Sequence, residues 1–275
     1  MSKIARLREA LLTLLQEHLR DGALPTSARF LFYELVARGI ISKDAPPPKA
    51  GKKTTRRPDQ YMGDALTDLR ENGEVPWDWI ADETPSLENY SGATTITDGV
   101  LRRLPYIELD PWDGDIPLIL CESRSLAGCL RPVASEYGVC ITSTNGQCGG
   151  FLHTDIAPIL QQGQRVLYLG DFDLAGNDIE SNTTHVLARE VGELQWERLA
   201  LTESQVQRYR LPRISKHDRR FKDGGVHQAV ETEALSQRLI ISIVVSRLAE
   251  LLPEPLQTVK ERAERQREEI RRKLA

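Results

Sequence analysis

The 275-residue sequence predicts an α/β protein: a small helical domain, then a Rossmann-like unit with a parallel sheet, then a helical C-terminal tail. Three observations predict it. Apolar residues recur at helical spacing in the N-terminal region. From Asp115 onward, short apolar runs alternate with helix-length segments across short loops. From Ala234 the pattern is helical to the end.

Ile4, Leu7, Leu11, Leu15 and Leu19 repeat as one helical face, and Asp21-Gly22 ends that helix. Pro25-Thr26-Ser27 caps a second helix that stops at Gly39. A proline-rich basic loop follows from Ala45 to Arg57. Pro58 opens a third helix, ending near Asn72-Gly73. Glu74 to Ile80, with Trp77 and Trp79 alternating, reads as a short strand. Three helices followed by a strand suggest a winged-helix or related helix-turn-helix module over residues 1–84. Polar, turn-rich residues from Asp82 to Gly99 place a linker over 85–112.

The second unit spans 113–275. Strands are expected at Pro117–Cys121, Val139–Thr142, Arg165–Leu169 and Leu194–Leu201. Helices are expected at Ser125–Tyr137, Thr154–Gln161 and Gly176–Glu190, with a glycine-rich turn at Asn145–Gly150. Strand-helix alternation with short loops means βαβ units and a doubly wound sheet. Ala234–Leu252 is apolar enough for a packed helix. Leu256–Ala275 alternates Arg and Glu and reads as a solvated one. No internal repeat is present.

The chemistry gathers at strand ends. One apolar run leads straight into Glu122, another through Gly170 into Asp171-Phe172-Asp173. Ligands of parallel sheets collect at the carboxyl ends of strands. Residues i and i+2 of an extended chain share a face, so Asp171 and Asp173 point together. Between Leu167 and Ala188 there is no Lys or Arg, yet Asp171, Asp173, Asp178 and Glu180 lie there. Uncompensated anions protonate or bind a cation. Mg²⁺, or Mn²⁺, is the natural partner for oxygen ligands. Helix capping by Asp173 and a favourable first turn for Asp178 and Glu180 account for part of the set, though not for Glu122.

The net charge is −4, but it is segregated. Lys49, Lys52, Lys53, Arg56 and Arg57 form an acid-free segment. Arg208, Arg210, Arg213, Lys216, Arg219, Arg220 and Lys222 face only Asp218. These segments are either solvated loops or surfaces for nucleic-acid phosphates. The cysteines (Cys121, Cys129, Cys140, Cys148) lack C-x-x-C spacing, so zinc is not indicated and buried, reduced thiols of a cytoplasmic protein are expected. The N-terminal helix is broken by charges as no signal peptide is, and no run is long enough to span a membrane.

Tyr33 is the second chemical candidate. Ala28, Leu31, Phe32, Leu35 and Val36 form an apolar stripe, while Arg29 and Tyr33 sit one turn apart on another face. A phenol with a pKa near 10 is a weak nucleophile at neutral pH; a guanidinium beside it favours phenolate and holds phosphate. Such a pair suits attack on a phosphodiester. The alternative is a tyrosine packed against the second domain or the proline-rich loop. Two motifs are decoys. Gly51-Lys52-Lys53-Thr54 lacks the upstream glycine of a phosphate loop, and Asp171-Phe172-Asp173-Leu174 follows two complete βα units rather than the first strand.

Glu122, the glycine turn near Gly146 and Asp171-x-Asp173 together resemble the TOPRIM metal-binding domain of topoisomerases, primases and related nucleases. Arg29-Phe30-Leu31-Phe32-Tyr33 resembles the Arg-x-aliphatic-aromatic-Tyr motif of the topoisomerase VI A subunit and the meiotic double-strand-break transesterase. Leu199-Ala200-Leu201-Thr202, Arg210-Leu211-Pro212 and Glu231-x-Glu233-Ala234-Leu235 are similar to the C-terminal region of that family. The chain is most similar to its compact "mini-A" type. The resemblance implies a winged helix followed by a TOPRIM domain. It implies a homodimer cleaving double-stranded DNA, Tyr33 of one subunit attacking phosphorus beside Mg²⁺ held by Glu122, Asp171 and Asp173 of the other. Arg29 would bind the phosphate and Tyr33 would become linked to the 5′ end. Lys49, Lys52, Lys53, Arg56, Arg57, Arg213, Lys216, Arg219 and Arg220 would line the DNA path in a nucleoid-associated protein. No ATPase region is evident, so an ATPase partner is left open. A hydrolytic TOPRIM nuclease and a non-catalytic DNA-binding protein are the alternatives.

Overall fold

The computed structural model describes residues 3–43, 57–81, 93–146, 149–217 and 226–274. Helices α1 (Lys3–Arg20), α2 (Ala28–Ala37) and α3 (Pro58–Glu71) open the chain. They close on a core of Leu7, Leu11, Leu14, Leu15, Leu31, Leu35, Met62, Leu66 and Leu69. Ile4 and Leu19, read as part of the α1 stripe, are instead exposed at its two ends. Ser27 caps α2 by accepting from the Phe30 amide. His18 of α1 is buried and bonds Glu34 of α2 through Nε2 at 2.8 Å.

The expected strand at Glu74–Ile80 is a 3₁₀ turn, Trp77–Trp79. Pro76 has no amide to donate, and among the described residues the pairing is a single bridge between Thr26 and Ile80. Among the described residues the N-terminal unit therefore holds three helices and no strand pair. The expected linker contains α4 (Ile96–Arg103), capped by Thr95 and braced by an Arg102–Asp98 ion pair at 2.9 Å.

The second unit is a four-stranded parallel sheet, β1 (Leu118–Cys121), β2 (Cys140–Ser143), β3 (Arg165–Leu169) and β4 (Gln195–Ala200), in the order β2-β1-β3-β4. Helix α5 (Arg124–Tyr137) joins β1 to β2, and α7 (Leu174–Val191) joins β3 to β4. The expected helix at Thr154–Gln161 is displaced and irregular: a turn α6 (Gly149–Phe151), a π-turn Leu152–Ile156, then 3₁₀ geometry at Ala157–Ile159. Pro158 cannot extend regular α-helical bonding there. Gly138 ends α5 at φ 64°, a left-handed conformation that costs glycine nothing.

Alternation sorts the strands between two faces. Ile119, Cys121, Leu167 and Leu169 pack against α5 and against α9 (Gln237–Leu251). Leu118 meets Leu152, Ile156 and Leu187 on the opposite face, where Leu120, Val166 and Tyr168 are also buried. Phe30 of α2, fully buried, belongs to the α5–α9 core, so α2 is shared by both hydrophobic centres. Helix α8 (Glu203–Arg208) and an antiparallel pair, β5 (Ile214–His217) and β6 (Val226–Ala229), follow the sheet; α10 (Leu256–Leu274) ends the chain. No helix among the described residues is long and apolar enough to cross a membrane. Cys121 and Cys129 are buried as expected, whereas Cys140 is exposed because β2 is an edge strand; Cys148 lies outside the described residues.

Candidate functional site

β1 and β3 are neighbours at the centre of the sheet. Their connections leave in opposite directions, to β2 and to β4. A crevice opens where such connections diverge, and Glu122 and Asp171 stand at its mouth. The Asp171 amide donates to Glu122 Oε2 at 2.8 Å. The Glu122 amide donates to the Leu169 carbonyl, also at 2.8 Å. The two acids are thus tied together through the backbone of the adjoining strand.

Asp171 is held from three further directions. Phe172 and Val230 form a two-way backbone pair, 2.8 and 3.1 Å, that brings the segment after β6 alongside. Thr232 consequently donates to Asp171 Oδ1 from its amide at 2.8 Å and its hydroxyl at 3.1 Å. Arg198 of β4 donates to the Asp171 carbonyl at 2.6 Å and to that of Gly170 at 3.1 Å. It also donates to the Leu201 carbonyl and to Glu180, and lies 5.4 Å from the Tyr168 ring centre. The acid-only stretch therefore has a cation after all, delivered by the next strand.

Gly176, in the first turn of α7, lies directly behind the pair. A Cβ there would sit 2.4 Å from the Asp171 carbonyl oxygen and 3.2 Å from Glu122 Oε2. Asp173 serves this turn too: its Oδ1 accepts the Gly176 amide at 2.6 Å as the N-cap of α7. The expected trio does not close. Glu122 and Asp171 meet, while the Asp173 carboxylate is directed to the helix terminus.

The acid pair lines a pocket of about 150 Å³ with Arg29, Ser123, Asn145, Gly146 and Thr232. The turn after β2 bends over it, with Asn145 at φ 48° and Gly146 at φ 93°. Its acceptors are all oxygens, two of them on carboxylates, a donor set that suits a hard cation such as Mg²⁺. Among the described residues, no group of three or more His, Cys, Asp or Glu side chains is arranged to hold a metal ion.

Arg29 enters this pocket from the helical unit. Its Nε donates to Glu233 Oε1 at 2.9 Å, and its Nη2 lies 3.5 Å from Glu231. Burial opposes its charge, but Glu233, Glu231, Asp171 and Glu122 outweigh burial and hold its pKa above the ordinary value. Glu233 is 1% exposed. Its Oε1 also accepts from Ser123 and Ser125, each at 2.9 Å, while its Oε2 is buried with no hydrogen-bond partner among the described residues.

On the other side of Arg29 lies a second cleft, about 620 Å³, bordered by Tyr33, Lys43, Arg57 and Glu231. Tyr33 stands edge-on to Phe32, with ring centroids 5.5 Å apart. The Lys43 ammonium is 4.8 Å and the Arg29 guanidinium 6.0 Å from the Tyr33 ring centre. Lys43 also lies 3.5 Å from Glu231. Burial raises the Glu231 pKa; Arg29 opposes that shift and Glu233 adds to it.

Of the basic residues expected to meet DNA, Arg57 is exposed, borders the Tyr33 cleft and pairs with Asp59 at 2.8 Å. Arg213 is exposed just before β5, and Lys216 lies on that strand. Lys49, Lys52, Lys53, Arg56, Arg219 and Arg220 lie outside the described residues. Sequence reasoning did not assign roles to Lys43, Arg198, Thr232 or Gly176. In the sequence, Glu231-x-Glu233 stands out by resemblance alone and carries no assigned role. The chain matches no protein-family model, no curated protein and no solved structure.

Proposed function

We propose that this protein binds double-stranded DNA and cleaves it by metal-dependent tyrosine transesterification, in the manner of a type IIB topoisomerase A subunit with winged-helix and TOPRIM domains. One observation carries the reading: Arg29 lines both the acid pocket and the Tyr33 cleft. A phosphate held by its guanidinium would lie between a phenol and a pair of carboxylates, the juxtaposition that phosphodiester attack requires. Glu122 and Asp171 would hold Mg²⁺ or Mn²⁺, with Ser123 and Asn145 beside them. The ion would supply charge neutralisation for the scissile group. Arg29 orients the phosphate, Lys43 lowers the cost of charge on the Tyr33 oxygen, and that oxygen attacks phosphorus. The phenol proton passes to solvent, the bond to the 3′ oxygen breaks, that oxygen leaves as a protonated hydroxyl, and a 5′-phosphotyrosyl link remains. Asp173 supports the site by fixing α7.

The test is a cleavage assay on supercoiled DNA with Mg²⁺ or Mn²⁺, quenched with denaturant. Wild type is expected to give 5′-linked protein–DNA adducts, and Tyr33→Phe and Glu122→Ala none. Cleavage that survives Tyr33→Phe but not Glu122→Ala would mean hydrolysis by water instead. Binding without cleavage under every metal condition would favour a DNA-binding scaffold.

A further inference from the structure

Glu231 and Asp59 are the acids that line the Tyr33 cleft among the described residues; Asp59 pairs with Arg57, whereas Glu231 lies between two cations that flank the tyrosine. Its carboxylate lies 3.5 Å from Arg29 and 3.5 Å from Lys43, ion-pair distances rather than close hydrogen bonds. The adjacent Glu233 holds the same guanidinium at 2.9 Å through Nε. Arg29 is therefore anchored by one acid and only loosely engaged by the other. Arg29 and Lys43 also stand near the Tyr33 ring. A carboxylate between two cations, beside a phenol, occupies the position that chemistry would give a phosphodiester.

We propose that Glu231 is an internal stand-in for the backbone phosphate: it fills the anion position of the Tyr33 cleft and is displaced when a nucleic-acid phosphate engages Arg29 and Lys43. Glu233, buried and fixed by Ser123 and Ser125, keeps Arg29 in place during the exchange. Glu231 then sets affinity by competition, so only a ligand presenting phosphate to both cations displaces it. This rests on the cleft being the DNA site.

The experiment is a fluorescence-anisotropy titration of labelled duplex DNA in EDTA, at several salt concentrations. The chains compared are wild type, Glu231→Gln, Glu231→Ala and Lys43→Gln/Glu231→Gln. Thermal melts establish that each is folded, and Glu231→Ala repeats the measurement should the amide not be accommodated. Removing the carboxylate is expected to tighten binding by roughly two- to fivefold, the effect of one partly exposed charge pair. The slope of log affinity against log salt should steepen by about one phosphate contact. Most of the gain should vanish in the Lys43→Gln background. Wild type that binds while both Glu231 variants bind equally or more weakly overturns the proposal and leaves the DNA reading standing. Absence of binding by every chain overturns both.

Discussion

Asp171 shows how much support a single carboxylate can draw. Its amide, carbonyl and side chain each have a partner, contributed by β1, β4 and the segment after β6. Such a residue is held in one orientation, as a preorganised site demands. Gly176→Ala should break that arrangement from behind, because the new Cβ would meet backbone that has little freedom to yield. The expected cost is about 1–3 kcal/mol in urea denaturation, with loss of adduct formation. His18 permits a second test. Burial depresses its pKa, but the hydrogen bond and charge of Glu34 prevail and leave it raised above 6.5. Protonated His18 thus stabilises the folded chain below about pH 6.5, and that contribution disappears as pH climbs through the folded value. Denaturation midpoints should fall over this interval in wild type, while His18→Gln should flatten the profile.

At the scale of elements, most of the sheet was legible. β3 falls on the expected residues, and β1, β2 and β4 lie within a residue or so of their expected bounds, because buried parallel strands are short, apolar and closed by turns. The misses share a cause. Whether Glu74–Ile80 becomes a strand depends on a neighbour to pair with, and periodicity says nothing of neighbours. β5 falls inside the basic segment, whose charge hides its strand character, and no expectation covers β6. The acid pair was legible from strand ends alone. Its braces were not, since Thr232 joins Asp171 across 61 positions and Arg198 across 27. Helix α2 shows one apolar stripe in sequence but buries two faces, with Phe30 turned to the sheet. Phe30→Ala should cost about 3–5 kcal/mol, seen as a lowered denaturation midpoint, and should loosen Arg29 from the acid pocket. Asp173→Ala should cost about 0.5–2 kcal/mol through the lost cap of α7.

For the molecule as a whole, the proposed cleavage raises the question of how two cuts would be coordinated. The family resemblance implies a homodimer with sites shared between subunits. Arg29, however, reaches the acid pocket of its own chain, which favours a site completed within one subunit. Mixed dimers of Tyr33→Phe and Glu122→Ala separate the two arrangements. If each site is built in one chain, no mixed dimer holds an intact one and nicking should be absent. Nicking by the mixture would instead assign Tyr33 and Glu122 of each working site to different subunits. Analytical ultracentrifugation of the same samples establishes whether dimers form.

The sharing of α2 between two hydrophobic centres has a mechanical corollary. A gap opened between the helical bundle and the sheet, wide enough to admit another duplex, would have to unseat Phe30 and carry Arg29 away with it. Separation and chemistry would then exclude each other in time, like a safety catch. Spin labels on α1 and α10 could report this: distances that lengthen while adducts continue to accumulate at an undiminished rate would refute the coupling.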